Sequence, residues 1–102
     1  MERICRGTTP TISCVLPFDT SELETAYLTA AQGECIVWEK SLQDMTLDGN
    51  TITVKLGQED TLHFRPDTPV QMQLRARLRS GDCIASETVT RSVYAIMKDG
   101  VI

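Results

Sequence analysis

Apolar and polar residues alternate without a break over residues 70–79: Val70, Met72, Leu74, Ala76 and Leu78 fall on one side, Gln71, Gln73, Arg75, Arg77 and Arg79 on the other. Successive side chains of a β-strand point to opposite faces of a sheet, so the segment predicts a strand with one dry face and one wet face. The same two-residue period returns in "NTITVKL", where Ile52, Val54 and Leu56 oppose Thr51, Thr53 and Lys55, and in "TISCVLP", where Ile12, Cys14 and Leu16 share a face. "TAYLTAAQ" and "ECIVWEKSL" predict a hairpin around Gln32-Gly33, and Asp48-Gly49-Asn50 a second tight turn.

Between these strands lie segments that break the period. "FDTSELE" is a polar connection with one helical turn begun by Thr20 or Ser21. "GQEDTLHF" reads as a helical turn bridging two strands, and "RPDTP" as a loop, because its two prolines cannot sit in a central strand. A long extended run follows from Cys83 to Met97, where a bulge or a change of sheet is expected. The turn before it sets the register. A three-residue turn at Ser80-Gly81-Asp82 places Leu78 opposite Ile84 and Arg75 opposite Glu87, whereas a two-residue turn drives Glu87 towards the core beside Ala76. An unpaired buried charge costs several kcal/mol, and an exposed cross-strand pair gains about 0.2–1 kcal/mol, so the first register is expected.

The 102 residues, numbered 1–102, fit one domain with one core. A chain of this length buries roughly 60–70% of the surface its unfolded form exposes and needs no metal or disulfide to fold. Its net charge of −4 is the wrong sign for non-specific binding to nucleic acid. No apolar run spans a bilayer, and "MERICRGTTP" has no hydrophobic stretch of the secretory kind, so synthesis in the cytoplasm and no membrane association are expected. Under those conditions Cys5, Cys14, Cys35 and Cys83 stay reduced, and their spacing lacks the close pair of a zinc site. Cys14 and Cys35 stand in apolar surroundings that suit small buried hydrophobes.

Candidate chemistry is sparse. His63 is the one histidine, and a general base needs a nucleophile and an orienting group to converge on it. Glu59 or Asp60 is the nearest carboxylate, which defines a small-hydrolase reading; a loop or sheet-edge histidine is the plainer one. Glu22/Glu24 and Glu59/Asp60 read as solvated loop carboxylates, and Asp44, Asp48 and Asn50 lack calcium-loop spacing. Trp38 in "IVWEK" is expected between the sheets rather than on a sugar-binding surface with Tyr27 and Tyr94. No catalytic residue, metal or cofactor is assigned. The candidate interaction face is Arg75, Arg77 and Arg79 with Gln71 and Gln73, since arginine is enriched at protein interfaces.

The order of segments resembles small phage and prophage proteins of Gram-positive bacteria, and the N-terminal immunoglobulin-like domain of phage upper-baseplate proteins. The matching residues are Arg6-Gly7-Thr8-Thr9, read as the opening strand, the Leu56–Thr61 turn, and Gly81 with Ser86. The baseplate proteins carry further segments after this domain, and this sequence ends after it. The resemblance implies an all-β, immunoglobulin-like antiparallel sandwich of about seven to eight strands with at most one or two short helical turns. It also implies a non-enzymatic structural module that contacts other phage proteins in a tail or baseplate, forms a homo-oligomer, takes no small-molecule substrate, and joins the virion after synthesis in the host cytoplasm. The rival expectation is a carbohydrate-binding sandwich that recognises a bacterial surface through exposed aromatics on one face.

Overall fold

The computed structural model describes residues 3–102. In chain order they form β1 (Arg3–Cys5), β2 (Thr11–Val15), β3 (Leu23–Gln32), β4 (Cys35–Ser41), β5 (Thr46–Asp48), β6 (Thr51–Lys55), α1 (Gln58–Leu62), β7 (Val70–Leu78), β8 (Cys83–Ala85) and β9 (Val89–Tyr94), with 3₁₀ turns at Thr20–Glu22 and Leu42–Asp44. A large sheet runs β1-β9-β7-β3-β4 with β8 beside β7, and a three-stranded sheet runs β2-β6-β5. The chain is thus all-β and built as a two-sheet sandwich.

The alternation of residues 70–79 is reproduced by β7, whose strand residues alternate between buried and exposed up to Leu78 at the strand end. On one edge β7 pairs antiparallel with β3, placing Leu28 beside Leu74 and Tyr27 beside Arg75. Its other edge is divided: β9 takes Val70 to Met72 and β8 takes Arg75 to Arg77. Met72, Leu74 and Ala76 of β7 and Ala26, Leu28 and Ala30 of β3 face Ile52 and Val54 of β6, with Phe64 closing one end. Burying each of the larger aliphatic side chains is worth about 1.5–3 kcal/mol, and this inner layer holds the sheets together.

Polar groups close the ends of the sandwich. Lys40 stands opposite Leu28 on the core side of β4, and Asp60 of α1 meets its ammonium at 2.9 Å. The other Asp60 oxygen accepts the Gly57 N–H at 2.7 Å and so caps α1. The Arg6 guanidinium donates to the carbonyls of Phe64 (2.9 Å) and Leu62 (3.0 Å), tying the β1–β2 connection to the end of the same helix.

Several details differ from the sequence expectations. The described residues hold nine strands, because β1 and β5 are only three residues long and residues 83–97 are not one strand. They hold three short helical segments rather than one or two; the added one follows from Asp44, whose carboxylate accepts the Ser41 N–H at 3.0 Å. Most pairings are antiparallel, but β1 pairs with β9 in parallel. Arg6-Gly7-Thr8-Thr9 is not a strand: Gly7 has φ of 75° and the segment turns between β1 and β2.

The β7–β8 register also differs. Arg79-Ser80-Gly81 makes the turn, closed by the Leu78 N–H on the Asp82 carbonyl at 2.8 Å, so Ala76 faces Ile84 and Arg75 faces Ala85. This is a two-residue slip from the expected pairing, so every side chain keeps its face. Glu87 lies beyond β8 and meets no arginine of β7. The break between β8 and β9 causes no change of sheet.

Candidate functional site

Where β7 meets β3, the outer face of the large sheet is built mainly from short or polar side chains. On β7 it carries Gln71, Gln73, Arg75 and Arg77, opposite Ala31, Thr29, Tyr27 and Thr25 of β3. The five residues of the expected interaction face are all exposed, but they are not equivalent. Arg79 lies past the end of β7 and donates to the Ser21 carbonyl at 2.9 Å, so it fastens the hairpin to the 3₁₀ turn. The Gln73 amide donates to the Ser86 carbonyl at 2.9 Å. Arg77 meets Glu24 at 3.3 Å with both side chains about half exposed, a pair worth little in water. The acidic neighbour of the arginine row is therefore Glu24 on β3, not Glu87.

Arg75 is different. Among the described residues its guanidinium makes no hydrogen bond or ion pair, and it stands beside Tyr27, which is 42% exposed. A free guanidinium next to an exposed phenol supplies charge, donors and a stacking surface at one place, the combination that anchors many protein interfaces. Around it lies a shallow depression of about 160 Å³, lined in part by Thr25, Arg77 and Cys83.

A second feature lies at the open side of the sandwich, where β2 is an edge strand of the small sheet. Two adjoining depressions of about 290 Å³ each run between β2 and the β8–β9 edge. The buried Leu28 and Met72 line the floor of one, and Leu74 and Ser86 line both. The sequence showed β2 as a strand but carried no signal that its outer edge would stay unpaired.

The residues weighed for catalysis do not converge. His63 is the C-terminal cap of α1; its side chain is exposed and hydrogen-bonds to no carboxylate among the described residues. Burial pushes the Asp60 carboxyl up, but the Gly57 N–H, the Lys40 ammonium and the nearby His63 outweigh it and leave its pKa below the ordinary value. That carboxylate is committed to a helix cap and a lysine. Asp19 is also lowered, by the Ser21 N–H at 2.9 Å, and serves as a cap of the Thr20–Glu22 turn.

Trp38 is half-buried, donates to the Asp60 carbonyl at 3.2 Å and packs on Phe64 at 5.9 Å between ring centres, the inter-sheet position expected of it. Tyr27 and Tyr94 are exposed, but Tyr94 lies beyond the Val70–Arg91 pair with Arg3 over its ring, so roughly 25 Å of sheet separates the two at about 3.3 Å per residue. Cys14 packs on the core, and burial raises its thiol pKa. Cys35 does not: it opens β4 at the free edge of the large sheet and is exposed, as is Cys83. Among the described residues no three His, Cys, Asp or Glu side chains are grouped to hold a metal ion.

No protein-family model, curated protein or solved structure matches the chain.

Proposed function

We propose that this chain is a non-enzymatic, phage- or prophage-encoded structural module that makes protein–protein contacts in a tail or baseplate. The observation that carries the reading is Arg75: a guanidinium unpartnered among the described residues, beside the exposed Tyr27, on a sheet face of glutamines, threonines and a second arginine. The depression around Arg75 holds only about 160 Å³, which suits the surface of another protein better than a small molecule, whose pockets run to about 300–1,000 Å³. The short motifs at Leu56–Thr61 and at Gly81 with Ser86 support the phage assignment by resemblance. A homo-oligomer formed through this surface belongs to the proposal.

The test is co-expression of the tagged chain with each tail and baseplate protein encoded beside it. Stoichiometric co-purification with one of them, lost on Arg75→Glu, is expected. Failure of every such protein to co-purify, or a complex indifferent to Arg75→Glu, would overturn the proposal.

A further inference from the structure

Beyond the outer face, the open seam of the sandwich has the features of a strand-binding groove. The β2–β6 ladder fixes which backbone groups of β2 are spent. The Leu56 N–H meets the Pro10 carbonyl at 2.9 Å and the Leu16 N–H meets the Asn50 carbonyl at 2.7 Å. With Ile12 opposite Val54 and Cys14 opposite Ile52, antiparallel alternation turns the N–H and C=O groups of Ile12 and Cys14 towards β6. Those of Thr11, Ser13 and Val15 therefore point outwards along the free edge. Natural edge strands are usually blunted by a lysine, a proline or a covering loop. The five residues of β2 carry no charge and no proline, and Val15 is 70% exposed.

The opposite wall is also unfinished. Among the described residues β8 pairs only with β7, so Cys83–Ala85 present a second unpaired backbone edge across the groove. The floor between them is apolar, through Met72 and Leu74. Glu87 and Arg91 both line the depression; the Arg91 guanidinium donates to the Thr90 carbonyl at 3.2 Å, whereas among the described residues the Glu87 carboxylate has no partner, so the unmet charge there is negative. With a net charge of −4 on the chain, the complementary occupant is basic.

We propose that this seam receives an extended basic strand of a partner protein, apolar at alternate positions, which pairs with β2 and places a lysine or arginine against Glu87. β2 of a second copy fits less well. A two-fold axis beside Ser13 lies about 2.4 Å from each β2, half the strand spacing, while each large sheet continues past β2 through β8 and β9, so the two overhangs would collide. The inference shares with the functional proposal only the premise that the partner is a protein. The site is a different one, and Arg75→Glu leaves it intact.

The experiment is residue-resolved amide exchange on the whole chain. The probe is an amidated peptide of about nine residues that alternates valine and threonine and ends in lysine on both sides, long enough to span β2. Saturating peptide is expected to slow exchange at Thr11, Ser13 and Val15 by about tenfold or more, with Ile12 and Cys14 already protected without it. Replacing its lysines with glutamates is expected to weaken binding severalfold, and Glu87→Lys to reverse that preference. Unchanged exchange at Thr11, Ser13 and Val15 with either peptide overturns the inference. So does protection that rises with protein concentration alone, which would mean that a second copy fills the seam.

Discussion

Ser86 and Leu74 form one rung of the sheet with a side chain in place of a backbone carbonyl. The Ser86 N–H donates to the Leu74 carbonyl at 2.8 Å, and the Ser86 hydroxyl oxygen accepts the Leu74 N–H at 3.0 Å. This rung sits in the gap between β8 and β9, so β7 loses no hydrogen bond where its neighbour changes. Ser86→Ala leaves the Leu74 N–H without a partner and is expected to cost about 1–3 kcal/mol in urea unfolding. Ser86→Thr keeps the hydroxyl and is expected to recover most of that. Equal stability of Ser86→Ala and wild type would mean that the rung contributes nothing.

Gln32 is 1% exposed and holds the loop before β7. Its amide donates to the carbonyls of Arg65 and Thr68, both at 2.9 Å, and its oxygen accepts the Arg65 N–H at 2.7 Å. Gln32→Leu fills the space but orphans three backbone groups. A loss of about 3 kcal/mol is expected at about 1 kcal/mol per bond, together with faster amide exchange at Arg65. A loss under about 0.5 kcal/mol would put it in the range of ordinary surface substitutions and contradict this role.

Asp60 makes stability depend on pH. Its folded pKa is depressed, so its contribution is present above the unfolded carboxyl value and is lost as pH falls through the folded one. Wild type is therefore expected to exceed Asp60→Asn in stability at pH 7, with the gap narrowing towards pH 3. A gap that widened on acidification would reverse the assignment.

Cys35 and Cys83 are exposed, whereas Cys14 packs on the core and its thiol is raised by burial. A thiol reagent on the native protein is expected to modify Cys35 and Cys83 quickly and Cys14 at least tenfold more slowly, because the thiolate is the reactive form. Mass spectrometry of the digest reads the order, and equal rates at all three would contradict the burial of Cys14.

Much of the sheet was legible where pairing is local. The β3–β4 hairpin forms at Gly33, which has φ of 61°, and the β5–β6 hairpin at Gly49, with φ of 59°; both glycines stand where the expected turns fell. α1 lies inside the segment expected to be a helical turn, and residues 65–69 form a loop. What escaped depends on distant partners. β1 is three residues whose strand state comes from pairing with Ser92–Tyr94, nearly the whole chain away. The bulge between Ala30 and Ala31 and the slip of the β7–β8 register leave no mark on composition or period. The same holds for the candidate site. Alternation placed Gln71, Gln73, Arg75 and Arg77 on one wet face, but only the geometry separates Arg75 from Arg79, which is tied to Ser21.

The central claim is that the Arg75–Tyr27 face is an association surface and not merely the solvated side of a sheet. Light scattering across a concentration series, on wild type and on an Arg75→Glu/Tyr27→Ala double variant, tests it most directly. Wild type is expected to exceed the monomer mass, and the variant to return to it with unfolding stability changed by no more than about 0.5 kcal/mol, as for ordinary surface substitutions. Identical masses for the two proteins at every concentration would contradict the claim.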